Sequence, residues 1–156
     1  MTFAAMPMDR FGWLCITEEK PDFDCSPASL AAFEEDYRAI IEEIASLRGG
    51  SETIVRTMDL FMPFYAEWRE RGIYDECWRC WEAVNEIIQQ VAAEYGIPIA
   101  PVYDTFNGPG HDEDPKDKGY VITEGAGAGV MGDVNETGRA VIAGLFRELG
   151  YEPMVP

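Results

Sequence analysis

The sequence predicts a single α/β domain in which a small, mostly parallel sheet carries helices on its faces. Three short runs of apolar or β-branched residues, near 11–17, 53–58 and 97–103, have the composition of buried strands. Longer segments with apolar residues at steps of three and four lie between and after these runs, as in amphipathic helices. Alternating strands and helices are typical of a parallel sheet. A length of 156 residues fits one domain, which we expect to span 1–156.

The first predicted helix has a recognisable start. Ser26 can accept hydrogen bonds from the free amides of a first turn, and Pro27 fits the first helical position. Apolar residues keep helical spacing from there to Leu47, and two glycines follow. We therefore expect a helix over about 27–48.

Two strands flank the second long predicted helix. The β-branched run at 53–58 is the first of them, and the aromatic segment at 60–72 is expected to be a loop that leads into a short helix. Helical spacing then runs from about Asp75 to Tyr95, where a glycine and a proline end it. The apolar run at 97–103 is the second strand.

The last third of the chain is expected to form a long loop and a final helix. The loop covers 105–119, and loops of this length in compact domains are often functional. The helix is expected to begin near Asp133 or Asn135, because Asp133 and Glu136 have the spacing of a capping box. Its buried stripe is supplied by Val141, Leu145 and Leu149, and Gly150 ends it.

The charge of the chain excludes several classes of partner. A formal charge of −17, from 29 acidic and 12 basic residues, would repel nucleic-acid phosphates and anionic lipid surfaces. No apolar run is long enough for a membrane span, and no secretion signal opens the sequence. We expect a cytoplasmic protein that binds no nucleic acid, with secretion left open should the N-terminus be incomplete.

The four cysteines are expected to be reduced thiols, since a chain with this much core does not need disulfides. They are Cys15, Cys25, Cys77 and Cys80. The last two form a C-x-x-C pair that we expect to pack in the core of a helix. A redox pair and half of a zinc site are the alternatives.

Two carboxylates and the only histidine are expected at one edge of the sheet. Asp59 and Asp104 follow two predicted parallel strands, and the loop with His111 begins at the same edge, where such sheets bind ligands. A carboxylate beside an imidazole can orient it as a general base. The alternative is that both aspartates cap loop amides while His111 is solvated. None of the serines follows a strand directly, and so the residues alone supply no serine nucleophile.

Neither the acidic loop nor the glycine-rich stretch indicates a cofactor. The acids within 112–117 do not have the spacing of an EF-hand, and we expect a solvated loop rather than a site for a hard cation. The glycines within 125–129 lack the lysine and hydroxyl residue of a phosphate loop. We expect no metal and no cofactor.

Several segments taken together resemble the later part of the SGNH/GDSL hydrolase family. They are residues 37–41, 53–59, 84–87, 96–100, 135–138 and 142–143. The resemblance covers roughly 22–121 and 134–156, whereas 1–21 and 122–133 diverge. It implies a flavodoxin-like, three-layer α/β/α fold, here with a truncated sheet, and hydrolysis of carboxylic esters.

The family's catalytic motifs are altered in this chain. Its serine lies in a Gly-Asp-Ser turn that would precede the first residue here, and so we expect that segment to be missing. In the family's final Asp-x-x-His block the histidine position holds Asp133, and Glu124 resembles a displaced acid. The candidate catalytic residues are therefore His111, Asp133 and Glu124. The candidate substrate-binding residues are Asp59, Asp104 and Asn107.

Two functions follow from these observations. The first is a relative of SGNH/GDSL ester hydrolases that acts on a small-molecule ester and is impaired or truncated. The second is a non-catalytic α/β module for binding or assembly, which would form a homodimer by pairing the open edges of its small sheet.

Overall fold

The computed structural model describes residues 25–47, 54–123 and 132–151, and these are mostly helical. Their elements, in chain order, are α1 (Pro27–Leu47), β1 (Thr57–Met58), α2 (Tyr65–Arg71), α3 (Tyr74–Glu94), β2 (Ile99–Ala100), α4 (Val102–Asn107) and α5 (Glu136–Glu148). None of the helices in these ranges combines the length and the apolar character needed to cross a lipid bilayer.

The predicted three-layer, flavodoxin-like α/β/α fold is wrong. Within the described ranges the sheet has two strands of two residues each, β1 and β2. Residues 54–56 are not part of the ladder, and Pro101 is the N-cap of α4, so that residues 102 and 103 are helical rather than extended. The strand predicted at 11–17 lies outside the described residues.

The parallel pairing of the two predicted strand segments is confirmed. Thr57 lies opposite Ile99, and Met58 lies opposite Ala100. The amide of Thr57 donates to the carbonyl oxygen of Pro98 at 3.2 Å. The connection runs through α2 and α3, and a parallel pair requires a crossover of this kind. The two segments therefore end at the same side of the molecule.

The helix α1 packs along α3, and its predicted start and end are confirmed to within one residue. The hydroxyl of Ser26 accepts a hydrogen bond from the amide of Ser29 at 3.2 Å. Two buried residues of α1, Phe33 and Ile41, belong to apolar clusters with α3 residues, namely Val84 and Ile88 in one cluster and Val91 and Ala92 in the other. The apolar stripe read from the sequence therefore identifies this interface.

The last helix packs against the end of β2 and against α4. Asn135 is its N-cap and accepts from the amide of Gly138 at 3.0 Å, and so the alternative start at Asp133 is wrong. The predicted stripe of Val141, Leu145 and Leu149 contacts the buried cluster of Ala100, Val102, Phe106 and Val121. Gly150 follows with a positive φ of 72°.

The prediction of reduced thiols is wrong for the described cysteines. Cys25, just before α1, forms a disulfide with Cys80 of α3, with a Cα–Cα distance of 5.7 Å. Cys77 is also disulfide-bonded. Burial of the C-x-x-C pair is nevertheless confirmed, since the exposed fractions of Cys77 and Cys80 are 1% and 4%. The sequence did not reveal the disulfide because Cys25 and Cys80 are 55 residues apart.

Candidate functional site

The imidazole of His111 lies between two carboxylates. Its Nδ1 is 2.8 Å from Oε1 of Glu82, and its Nε2 is 2.8 Å from Oδ1 of Asp104. The side chain of Glu82 is 24% exposed, whereas that of Asp104 is 61% exposed. The structure therefore brings together two predicted site residues, His111 and Asp104, and adds a carboxylate that is more enclosed.

The ring of Tyr103 forms the floor of this site. It stacks on the imidazole of His111, with ring centroids 3.6 Å apart and planes inclined by 15°. Its hydroxyl donates to Oε1 of Glu82 at 2.8 Å. Burial and the charge of Glu82 raise the pKa of Tyr103, and so the hydroxyl keeps the proton that it donates.

The backbone of His111 adopts a conformation that is uncommon for a residue with a side chain. Its φ is +52°, in the left-handed region, which costs roughly 1–3 kcal/mol outside glycine. The carbonyl oxygen of His111 accepts from the hydroxyl of Tyr74 at 3.2 Å. The contacts of the ring and of this carbonyl together hold the residue in place.

Asp59 connects the sheet to the site but does not face it. Only 4% of the residue is exposed, and its Oδ1 accepts from the amide of Tyr103 at 2.7 Å. This bond lies in the first turn of α4, which carries both Tyr103 and Asp104. Burial raises the pKa of Asp59, and the hydrogen bonds from the Tyr103 and Val102 amides oppose that shift. In this structure Asp59 caps α4.

Asn107, a predicted substrate-binding residue, is fully buried and joins two loops. Its Oδ1 accepts from the amide of Met62 at 2.7 Å. Its Nδ2 donates to the carbonyl oxygens of Met62 and Glu113, at 2.9 and 3.0 Å. These three bonds use both donors of the side-chain amide and one of the two acceptor positions on Oδ1. The residue therefore fixes the loop after α4, and with it the position of His111.

The two remaining catalytic candidates lie elsewhere or outside the described ranges. Asp133 is in the turn before α5, where its carbonyl oxygen accepts from the amide of Ile122 at 2.8 Å. The carboxylates that contact the ring nitrogens of His111 belong to Glu82 and Asp104 instead. Glu124 lies outside the described residues.

The acidic loop is only partly solvated. Asp112, Glu113 and Asp117 are exposed, as predicted. Asp114 is 9% exposed and accepts from the backbone amides of Lys116 and Ala66, at 2.8 and 3.3 Å. A cavity of about 480 Å³ lies against this loop and is lined by Tyr65, Ala66, Asp112, Glu113, Asp114, Asp117 and Lys118.

The arrangement around His111 can support proton transfer. Ionised carboxylates only accept hydrogen bonds, so that both 2.8 Å contacts are hydrogen bonds only when each ring nitrogen carries a proton; in the tautomer with a proton on Nδ1 alone, Nδ1–H donates to Glu82 and Nε2 can accept a proton. The side chain of His111 is 22% exposed, and a small molecule can therefore reach it. Among the residues that the structure describes, no three histidine, cysteine or acidic side chains form a group that could hold a metal ion.

Sequence reasoning missed Glu82 and Tyr103. Glu82 lies on α3 beside the apolar stripe, where an acid looks like a solvated side chain. Tyr103 was expected to be the last residue of a strand. No local pattern signals either role, because both depend on contacts with His111 that form only when α3 and the loop after α4 meet.

Comparison with known proteins adds no relative. No protein-family model, no curated protein and no solved structure matches this chain.

Proposed function

We propose that this chain is a relative of the SGNH/GDSL ester hydrolases and acts on carboxylic esters, with His111 as general base and Glu82 as the residue that orients it. The 2.8 Å contact between Oε1 of Glu82 and Nδ1 of His111 carries the proposal. The order of family-like segments supports it as well. The helix-rich fold does not, and so the proposal rests on the site rather than on the architecture.

The chemistry requires a nucleophile, and we assign water to that role. In the ranges 25–47, 54–123 and 132–151, both ring nitrogens of His111 contact carboxylates rather than a serine hydroxyl. Nε2 would take a proton from a water molecule as its oxygen bonds to the ester carbonyl carbon. The same proton would then pass to the leaving alkoxide, so that the products are an acid and an alcohol.

Asp104 would limit this reaction. Its carboxylate can only accept, and so its contact with Nε2 is a hydrogen bond only when that nitrogen carries a proton. The exposed side chain of Asp104 can rotate into solvent, which would open Nε2 to water. Replacing Asp104 with alanine is therefore expected to raise the rate of hydrolysis.

Hydrolysis of p-nitrophenyl acetate tests the proposal. The wild-type chain should exceed the buffer rate, and His111→Gln should lower kcat/KM by about 100-fold, the scale of general-base catalysis. Asp112→Asn is the matched control, because it changes an exposed side chain next to His111 that has no assigned role. Equal rates for wild type and His111→Gln, with both chains folded, would contradict the proposal.

A second candidate is a non-catalytic module that assembles through its sheet. Within the described ranges each strand has one partner, so that one side of β1 and one side of β2 are unpaired. Ile54, just before β1, is 49% exposed. A homodimer formed at this edge should be seen by light scattering and weakened by Ile54→Lys. Leu47→Lys, at a 66% exposed site at the end of α1, is the control.

A further inference from the structure

The disulfide between Cys25 and Cys80 joins two elements that are distant in sequence. Cys25 precedes α1 and is partly exposed, whereas Cys80 lies in α3 and is 4% exposed. The two residues are separated by 55 positions. In the unfolded chain this bond closes a long loop and lowers its conformational entropy, and so it stabilises the folded form.

The residues that follow Cys80 in α3 contact the candidate site and its supporting loop. Nε1 of Trp81 donates to the carbonyl oxygen of Leu60 at 2.7 Å. Glu82 contacts both His111 and Tyr103 at 2.8 Å. Three consecutive residues of α3 therefore make these contacts. Cys80 forms the disulfide with Cys25, Trp81 donates the hydrogen bond to the segment after β1, and Glu82 contacts the imidazole of His111.

We propose that the Cys25–Cys80 disulfide is a redox-sensitive link that fixes α1 on α3 and thereby holds Glu82 opposite His111. The protein with this disulfide intact is the form in which Glu82 stays opposite His111. Disulfides persist in oxidising compartments. A dithiol reductant would break the link by thiol–disulfide exchange. The S–S bond is replaced by two S–H groups, and the dithiol is oxidised to a disulfide.

The direction of attack follows from the exposure of the two cysteines. Cys25 is the more exposed of the two residues, and so we expect a reductant thiolate to attack its sulfur rather than that of the buried Cys80. The sulfur of Cys80 leaves first, and a second thiolate of the reductant then frees Cys25. Without the bond, α1 is held on α3 by its apolar contacts, which include Phe33 against Val84 and Ile88, and by the ion pair between Arg38 and Glu94.

The test compares the full oxidised chain with the double variant Cys25→Ala and Cys80→Ala. A double variant is needed because a single one would leave a thiol near Cys77, and general reduction would also open the disulfide of Cys77. Hydrogen exchange of α1 and the NMR signals of the His111 ring are measured in both proteins. Neither readout uses turnover, so that the outcome does not depend on ester hydrolysis.

The proposal predicts a melting temperature about 10 °C lower in the double variant. It also predicts at least tenfold faster exchange in α1 and a displaced or broadened His111 ring signal. Unchanged exchange and ring signals would overturn it. Peptide mapping of the wild type under non-reducing conditions applies even if the variant does not fold. Free thiols at Cys25 and Cys80 in protein prepared without reductant would also overturn the proposal.

Discussion

Oε1 of Glu82 lies 2.8 Å from both Nδ1 of His111 and the hydroxyl oxygen of Tyr103. One carboxylate oxygen thus holds two aromatic rings, whose centroids are 3.6 Å apart. The helix α3 supplies the carboxylate, α4 supplies the tyrosine and the loop after α4 supplies the histidine. The site therefore depends on the packing of these three elements against each other.

Tyr103→Phe and Tyr103→Leu separate the two contributions of this tyrosine. Phenylalanine keeps the ring on the imidazole and removes the hydrogen bond to the carboxylate of Glu82, which should cost about 1.5–3 kcal/mol of unfolding free energy. Leucine also removes the stacked ring of a residue that is 1% exposed, and should cost about 1–3 kcal/mol more. Urea unfolding measures both values. Equal costs would show that the stacked rings contribute nothing.

Gly138→Ala is expected to destabilise the chain by about 1–3 kcal/mol. A Cβ atom at Gly138 would lie 2.2 Å from the carbonyl oxygen of Tyr120, a backbone atom that cannot move alone. Gly144→Ala is the control in the same helix, where a Cβ meets nothing within 4 Å and should stabilise by about 1 kcal/mol. Thermal unfolding of the two variants should therefore shift in opposite directions. A stabilised Gly138→Ala would contradict the close approach of α5 to residue 120.

Asn107→Asp is expected to cost about 3 kcal/mol or more. The change keeps the shape of the side chain but replaces two donated hydrogen bonds, to the carbonyls of Met62 and Glu113, with repulsion between oxygens. Gln90→Glu makes the same chemical change on an exposed face of α3 and should shift the unfolding free energy by about 0.5 kcal/mol at most. Denaturant unfolding compares the two variants. Similar values for both would show that Asn107 does not brace the loop.

The buried carboxyl of Asp59 gives stability a defined dependence on pH. Burial raises its pKa in the folded chain above the ordinary value of 3.8, and so the folded chain keeps a proton that the unfolded chain has lost. The contribution of Asp59 to stability is therefore greatest below pH 3.8 and declines as pH rises from there through the raised pKa.

Asp59→Asn should remove this decline. Asparagine keeps an oxygen that can accept from the amide of Tyr103 but carries no ionisable proton. The difference in unfolding free energy between the variant and the wild type should therefore move in favour of the variant as pH rises from 3 to 7. Denaturant titrations at several pH values measure this difference. The contributions of the other acidic residues are nearly the same in both proteins and therefore cancel in it. A constant difference would contradict the raised pKa.

The sequence predicted the elements that depend on local patterns. The helices α1, α3 and α5 were found because apolar spacing and a glycine at or just after the end are local signals, and a serine or asparagine cap also marks the start of α1 and of α5. The parallel relation of the segments near 57 and 99 was also predicted correctly. This prediction came from the alternating order of predicted strands and helices, which can be read from the sequence alone.

The errors arose where local signals compete with distant contacts. The run at 97–103 is apolar enough for a strand, but Asp59 accepts from the amide of Tyr103, and the backbone turns into α4 after Pro101. The predicted fold has helices on both faces of a central sheet. A sheet of two strands with two residues each is too small to form that middle layer. Glu82 could not be assigned to the site, because its contact with His111 joins residues that are 29 positions apart.

A double-mutant cycle on Glu82 and His111 tests the proposed role of this pair most directly. Hydrolysis of p-nitrophenyl acetate is measured for wild type, Glu82→Gln, His111→Gln and the double variant. If the carboxylate acts through the imidazole, each single change lowers kcat/KM and the double variant is no slower than His111→Gln. Losses that multiply in the double variant, or a wild-type rate equal to that of buffer, would contradict the proposal.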